Sequence, residues 1–236
     1  MGTNIIILAA GPENYKKDSG GYPLALLETE DGSLIEQIYS KVAHIKDATI
    51  SFALKEEEIE RFHLDSMVKL ICSDARITRI TGETNGSGCT ALLAACELPE
   101  ENDLILISAN EIIDVNFQEV INSFRNRELA GGAIGFTSIH PQYSFVKLDE
   151  KGLVVEASQK NPISKNATTG MFWFSQTKDF VNKMKNVIRK KNLSEDRYYI
   201  APVFNEYVLD NKNIGIYEID SKNYKPLKTR RHLDQY

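Results

Sequence analysis

The start of the chain constrains the fold most, because large apolar side chains run there directly into small ones. Residues 4–11 read NIIILAAG. A continuous apolar run is typical of a strand buried on both faces, and ligands of open α/β sheets bind at the carboxyl ends of such strands. Ala9, Ala10 and Gly11 give a ligand close access to backbone N–H groups, which can hold phosphate oxygens. We therefore predict a ligand loop over Leu8–Gly11, with an ordinary tight turn as the alternative.

The length and net charge of the chain limit the kinds of partner that it can bind. The chain has 236 residues, enough for one large domain or two small ones with a sizeable core. Its net charge of −5 provides no general attraction for nucleic acid or an anionic membrane. No apolar stretch reaches the roughly 18 residues of a membrane span. The three cysteines form no CxxC pair, which indicates buried thiols in a reducing cytoplasm.

Apolar runs and helical patterns alternate through the first half, which is typical of a nucleotide-binding βαβ unit. Ser33 and Glu36 have the spacing of a capping box, which predicts a helix starting there. Further helices are predicted over 55–62, 90–96 and 115–128, and strands over 48–54, 67–72, 77–80 and 103–108, the last central and parallel. The second half predicts strands over 132–139, 145–148, 153–157, 168–174 and 214–219, and helices over 179–191 and 199–209.

Several segments share the order and spacing of one known family. They are LAAG at 8–11, GSGCTALL at 86–93, SIHP at 138–141, QKNPIS at 159–164, TGMFWF at 169–174 and APVFN at 201–205. Together they resemble the sugar-phosphate nucleotidyltransferases of polysaccharide biosynthesis. The resemblance covers nearly the whole chain and implies a GT-A/Rossmann-like three-layer α/β fold with a central mixed, mainly parallel sheet. It also implies one domain over 1–236, with a nucleotide-binding half at 1–130 and an acceptor-binding half at 131–236.

The resemblance implies an activity and its ligands. Members of the family transfer a nucleotidyl group from a nucleoside triphosphate to a sugar phosphate with Mg²⁺, here for capsule or surface polysaccharide, with a homo-oligomer as one option. The implied nucleotide-binding residues lie in two loops: Leu8, Ala9, Ala10, Gly11, Gly86, Ser87, Gly88 and Thr90. The structural alternative for the second loop is a glycine-rich turn capped by Ser87 or Thr90.

The sequence departs from the family pattern where phosphate is held. Leu24 stands in the position of a family lysine, and the loop at 12–17 lacks the family's arginine. Lys16 and Lys17 are therefore the catalytic candidates in that loop, although a lysine is a point charge and not a fork of donors.

The metal position departs as well. Asn110 replaces the family's aspartate, and an amide oxygen adds no negative charge for Mg²⁺. Asn110, Glu111 and Asp114 are the metal candidates, with an exposed loop capped by Asp114 as the alternative. The family's second metal-binding motif is not recognisable at 222–231.

Three residues are implied on the acceptor side. Lys160 matches the family lysine that contacts the sugar phosphate and is also a catalytic candidate, and Gly170 matches the sugar-binding block. Arg197 falls where the family has a glutamate, and a guanidinium there would pair with a carboxylate or phosphate. The alternatives are a solvated loop lysine and an exposed arginine.

Two further functions stay open. A nucleotide or sugar-nucleotide binding protein without catalysis would keep the fold and lose the catalytic groups. A GT-A glycosyltransferase would need an acidic D-x-D metal motif, which only Asp114-Val115-Asn116 approaches.

Overall fold

The computed structural model describes residues 2–11, 22–29 and 31–227, so Lys16 and Lys17 lie outside the described residues. The strands are β1 (Thr3–Leu8), β2 (Glu28–Thr29), β3 (Gly32–Ser33), β4 (Ala48–Lys55), β5 (Arg76–Ile80), β6 (Asp103–Ser108), β7 (Glu111–Ile113), β8 (Gly131–Thr137), β9 (Ser144–Leu148), β10 (Val154–Gln159), β11 (Asn166–Phe174), β12 (Ile214–Glu218) and β13 (Tyr224–Pro226). The α-helices are α1 (Leu34–Val42), α2 (Glu56–Phe62), α3 (Leu64–Ile71), α4 (Ser87–Ala95), α5 (Phe117–Asn126), α6 (Thr177–Arg189) and α7 (Val203–Leu209). None of these helices is long and apolar enough to cross a membrane.

A nine-stranded sheet runs through both halves of the chain, in the order β10-β9-β11-β6-β1-β4-β5, with β8 beside β11 and β12 beside β8. The first-half strands are parallel: β1 lies between β4 and β6, and β5 follows β4. Strand β11 pairs antiparallel with β6 and so joins the second half to the first. This mixed sheet with its parallel part confirms the predicted fold class.

Side chains of β1 alternate between two cores, one on each face of the sheet. Ile5 and Ile7 pack with α1, α3 and α5 on one face, whereas Ile6 and Leu8 pack with α4, α6 and α7 on the other. Helices therefore cover both faces, which produces three layers and explains the continuous apolar run from Ile5 to Leu8 in β1.

The predicted capping box at the start of α1 is confirmed. The Ser33 side chain accepts a hydrogen bond from the Glu36 N–H, and the Glu36 carboxylate accepts one from the Ser33 N–H at 2.7 Å. The Ser33 hydroxyl also donates to this carboxylate at 2.6 Å, and the hydrogen bonds donated by the hydroxyl and by the N–H of Ser33 lower the pKa of Glu36. The buried face of the helix holds four apolar residues at helical spacing, namely Leu34, Ile35, Ile38 and Val42.

Residues 67–71 are helical and Cys72 is the C-cap of their helix, so the strand predicted over 67–72 is wrong. The helix is α3, where Leu64 and Val68 are fully buried one turn apart while Leu70 is 87% exposed. A short apolar run fits either a strand or a helix, and burial of one helical face decides between them.

The helix predicted from residue 199 begins four residues later. Helix α7 starts at Val203, directly after Pro202, and residues 199–201 form a non-helical segment. Strand β13 is a second difference, because the sequence predicted no strand after residue 219. It pairs antiparallel with β7 and places Tyr224 opposite Ile113.

Candidate active site

A cavity of about 600 Å³ opens at the carboxyl ends of β1 and β6. Residues from both halves of the chain line it, because β11 and β10 bring the second half to the same edge of the sheet. This is where open α/β sheets bind ligands, between strands that end side by side.

The floor of the cavity consists of small residues that follow the two central strands. Leu8 at the end of β1 and Ala9, Ala10 and Gly11 after it line the cavity, together with residues 108–110 at and after the end of β6. The Ala9 N–H donates to Ala53 O at 3.0 Å, and the Ala109 N–H donates to Leu8 O at 3.0 Å. The two segments thus continue the sheet to the cavity with no large side chain in the way.

The glycine loop before α4 forms the next wall, with Gly86, Ser87 and Thr90 against the cavity. Gly86 has φ +105°, and a Cβ there would overlap the Tyr198 carbonyl oxygen and lie 2.9 Å from the Tyr198 nitrogen. Only glycine fits this position, since the loop packs directly on the backbone of the second half.

Other members of the loop have structural partners. Gly88 is not among the residues that line the cavity, and its N–H donates to Tyr198 O at 2.9 Å. The Thr90 hydroxyl lies 2.6 Å from the Thr84 hydroxyl, and the N-cap of α4 is Gly86 without a side-chain cap. The alternative that Ser87 or Thr90 caps the helix is therefore wrong, because α4 already begins at Ser87.

Lys160 lines the opposite side of the cavity and is held by its neighbours. Its ammonium group forms an ion pair with Glu195 and lies 5.7 Å from the centre of the Tyr199 ring. The hydrogen bond to Glu195 raises the pKa of Lys160, so the side chain stays cationic at neutral pH.

Arg197 lines the same cavity, so the structure brings together the two cations implied for the acceptor side. Its guanidinium is half-buried and has no hydrogen bond or ion pair with the residues described. The geometry leaves the functions of Lys160 and Arg197 as predictions, but it places both where an anionic ligand can reach them.

Gly170 lines the cavity in the middle of β11 and lies against the end of β6. A Cβ on Gly170 would come within 2.7 Å of Ser108 Cβ. Its N–H donates to the Glu111 carboxylate, and the Tyr224 hydroxyl donates to the other oxygen of that carboxylate at 2.8 Å. Burial, then Glu111, raises the pKa of Tyr224, so its proton stays in this hydrogen bond.

The three metal candidates lie in three different environments. Asn110 lines the cavity, and its buried Oδ1 has no hydrogen-bond partner among the described residues. Glu111 is 1% exposed and is bound by Gly170 and Tyr224. Asp114 is outside the residues that line the cavity, pairs with Lys41 at 2.6 Å and has a pKa lowered by that lysine.

The structure therefore does not gather the three candidates into one site, and which of them binds a metal stays a prediction. Within the described residues, no cluster of three His, Cys, Asp or Glu side chains can hold a metal ion. Asn116 is the N-cap of α5 and accepts from the Gln118 N–H at 3.0 Å. The D-x-D-like segment Asp114-Val115-Asn116 is therefore held by structural hydrogen bonds and lies outside the cavity lining.

Several residues that line the cavity were not among the site candidates predicted from the sequence. The Thr168 side chain is 1% exposed, and its hydroxyl has no partner among the described residues. Gln159 accepts from the Ser144 hydroxyl at 2.6 Å, which orients its amide in the cavity. The remaining polar or charged members are Lys55, Glu83, Thr84, Gln142, Glu195 and Tyr199. Gln159, within the QKNPIS segment, and Thr168, next to the TGMFWF segment, could have been singled out beforehand.

The arrangement as a whole defines an α/β protein with a ligand cavity at the end of its parallel strands, and its particular fold is that of the sugar-phosphate nucleotidyltransferases. The nucleoside-diphosphate-sugar pyrophosphorylase from Vibrio cholerae RC9 superposes with a TM-score of 0.85 at 18% identity, over 98% of each chain. A Bacillus anthracis protein described as a glucose-1-phosphate thymidylyltransferase gives 0.74 at 16% identity, over 99% of this chain and 93% of that one.

A UDP-glucose pyrophosphorylase solved with UDP-glucose gives a TM-score of 0.74 at 14% identity, covering 93% of this chain and 91% of that chain. No protein-family model and no curated protein matches the sequence. The comparisons confirm the resemblance at the level of the fold, and the activity has to be argued from the cavity.

Proposed function

We propose that this protein transfers a nucleotidyl group from a nucleoside triphosphate to a sugar phosphate or a similar phosphorylated acceptor. One observation carries the proposal: the small-residue floor, the glycine loop and two cations from the second half line a single cavity of about 600 Å³. The proteins with the same fold are named for chemistry on nucleotide sugars, which supports the choice of reaction.

In the proposed reaction, a phosphate oxygen of the acceptor attacks the α-phosphorus of the triphosphate in line. A new P–O bond forms, the bond to the bridging oxygen breaks, and pyrophosphate leaves with the electron pair. Such transfers depend mainly on positioning and neutralisation of charge. Lys160 would hold the acceptor phosphate, the glycine loop the base, and Thr168 and Gln159 the acceptor hydroxyls.

Asn110 is the described residue that fits a metal ion, because its Oδ1 is buried beside the cavity without another partner. Mg²⁺ at this position would receive its charge compensation from the nucleotide phosphates, since the amide supplies none. When bound, Mg²⁺ would neutralise charge on those phosphates. Glu111 is already bound by Gly170 and Tyr224 and would orient the segment that carries Asn110.

A binding protein without catalysis is the second candidate, and Leu24 favours it. This side chain lines the cavity and is 8% exposed, so an apolar group occupies a place where a cation would help a phosphate. The setting in capsule or surface polysaccharide synthesis and any homo-oligomer rest on the sequence resemblance alone, and the cytoplasmic location rests on the three cysteines, which form no CxxC pair.

Pyrophosphate release separates the two candidates. The purified protein would be assayed with each common nucleoside triphosphate, a panel of sugar 1-phosphates and Mg²⁺, and a thermal-shift measurement would record binding in parallel. Turnover with one nucleotide and one acceptor is the expected result. Binding of a nucleotide without turnover supports the second candidate, and neither binding nor turnover contradicts both.

Two lysines of neighbouring position provide a matched pair for the same assay. Lys160→Ala should reduce turnover at least tenfold, because it removes the cation nearest the acceptor. Lys165→Ala should leave turnover unchanged, since Lys165 is exposed and is not among the residues lining the cavity.

A further inference from the structure

Two loops from the second half form one charged wall of the cavity. Ser194 and Arg197 exchange backbone hydrogen bonds of 2.9 and 3.0 Å across a two-residue turn. The Ser194 hydroxyl donates to Gln159 O at 3.2 Å, which ties this turn to the loop that holds Lys160. We call residues 194–197 the acidic turn, after Glu195 and Asp196 at its tip.

The backbone of this wall is held in an uncommon conformation. Glu195 has φ 48°, Asp196 has φ 57° and Lys160 has φ 58°, all in the left-handed region. A two-residue turn of this kind usually contains asparagine and glycine, which adopt the conformation without strain. Strain of this type persists where the surrounding structure enforces it, and here it fixes the directions in which Glu195 and Arg197 leave the turn.

The wall carries two cations and, with Asp196, two carboxylates, but among the described residues only Lys160 is paired with one of these carboxylates. Lys160 and Arg197 are cationic, and Glu195 is the carboxylate paired with Lys160. Arg197 therefore has no ion-pair partner among the described residues, at a half-buried position in the cavity. When a ligand fills the cavity and displaces water, a guanidinium without a partner loses hydration and gains nothing in return.

We propose that the acceptor bears a carboxylate in addition to its reacting phosphate, and that Arg197 binds this carboxylate. The proposal rests on the proposed function and names its substrate class: an acidic sugar phosphate. The planar guanidinium offers paired N–H donors that match the two oxygens of a carboxylate. Glu195 beside it disfavours a second phosphate more strongly than a carboxylate, because phosphate carries the larger negative charge.

Binding of sugar phosphates that differ at one group tests this assignment. Glucuronic acid 1-phosphate and glucose 1-phosphate differ only in a carboxylate for a hydroxymethyl group, and the galacturonic acid and galactose compounds form a second pair. Each would be titrated calorimetrically without Mg²⁺, in the presence and the absence of nucleoside triphosphate, so that binding is measured without turnover.

At least one acid should bind the wild-type protein tenfold or more tightly than its neutral counterpart, which is about the effect of one charge-assisted hydrogen-bonded pair. Arg197→Gln should abolish this preference and leave the affinity of the neutral compound within about twofold. Arg189→Ala serves as the matched control, because Arg189 ends α6 and contacts Asn186 outside the cavity lining. It should keep the full preference.

Three results overturn the assignment in distinguishable ways. If neutral compounds bind as tightly as acids while turnover occurs, the acidic acceptor is wrong and the proposed function stands. If Arg197→Gln weakens nucleoside triphosphate alone, or acid and neutral compounds equally, Arg197 holds a phosphate. If no sugar phosphate binds under any condition, the proposed function fails together with the inference.

Discussion

The two ends of the central sheet treat their polar side chains in opposite ways. At the amino ends of β1 and β6, most buried polar groups pair with one another: Asp103 Oδ2 accepts from Trp173 Nε1 at 2.9 Å and from Arg125 at 2.6 Å. Asp103 Oδ1 is the exception, since it is buried without a hydrogen-bond partner among the described residues. Asn4 donates to Pro99 O at 2.7 Å and to the Thr177 hydroxyl at 2.8 Å.

At the carboxyl ends, by contrast, the hydroxyl of Thr168 and the Oδ1 of Asn110 are buried without hydrogen-bond partners among the described residues. A buried polar atom without a partner costs free energy, and at the cavity a ligand can supply the missing bond, which it cannot do for Asp103 Oδ1 or the Tyr207 hydroxyl outside the cavity lining. The comparison indicates that one end of the sheet contributes stability and the other contributes binding. Substitutions at the two ends should therefore change different measurements.

The largest effect is expected at the amino end. Asp103→Ala leaves the buried Trp173 N–H and the half-exposed Arg125 without their acceptor, which should lower the free energy of unfolding by about 3 kcal/mol. Urea denaturation measures the loss. Asp74→Ala, at an exposed aspartate, should change stability by less than about 0.5 kcal/mol. If Asp103→Ala spared stability and reduced nucleotide affinity, the assignment of this end would be wrong.

The next effect is expected in the glycine loop. Gly86→Ala forces a Cβ against the Tyr198 backbone at φ +105°, which should cost about 2 kcal/mol and displace the loop. The variant should also lose the rise in melting temperature that saturating nucleotide gives the wild-type protein. Gly82→Ala is the control, because Gly82 also has a positive φ, +70°, with no atom within 4 Å of an added Cβ. Retained nucleotide stabilisation in Gly86→Ala would remove this loop from the binding site.

A pair of threonines tests the comparison most directly, since the same substitution is made at each end. Thr177→Val breaks hydrogen bonds to Asn4 and Asn102 and should destabilise by about 1.5 kcal/mol. Thr168→Val removes a hydroxyl without a partner and should leave stability unchanged or slightly higher, while weakening acceptor binding. Equal losses of stability in the two variants, measured by urea denaturation, would contradict the contrast between the ends.

The smallest effect concerns the metal. Asn110→Asp adds a carboxylate beside the cavity and should strengthen Mg²⁺ binding without nucleotide by about tenfold, or 1.4 kcal/mol, measured by calorimetry. Asp114→Asn should leave Mg²⁺ affinity unchanged, because Asp114 pairs with Lys41 outside the cavity lining. A loss of Mg²⁺ affinity in Asp114→Asn would return this residue to the metal candidates.

Patterns of sequence predicted the central sheet well, because burial on both faces demands continuous apolar runs such as those of β1 and β6. They predicted the wrong element at 67–72, where helix and strand periods fit the same short run and only packing of Leu64 and Val68 distinguishes them. The early start expected for α7 has a similar cause, since residues 199–201 have no local signal against helix other than the following proline.

Parts of the candidate site depend on contacts between distant segments and could not be read from the chain. Glu111 follows Asn110 and resembles a metal ligand in sequence, yet Gly170 and Tyr224 occupy its carboxylate. The ion pair of Lys160 with Glu195 joins residues 35 positions apart. Lys160 and Arg197 could be assigned to one cavity beforehand only through the family resemblance, because no spacing rule connects them.

The pairing of β13 with β7 has a consequence for the order in which the protein can mature during synthesis. Tyr224 reaches Glu111 across 113 positions, and the Leu227 N–H donates to Asn110 O at 2.8 Å. Contacts of such long separation form late, and a chain emerging from the ribosome cannot make these until residue 227 has left the exit tunnel. The parallel strands can assemble earlier. The segment that carries Asn110 can form its contacts with Tyr224 and Leu227 only after β13 has been synthesised.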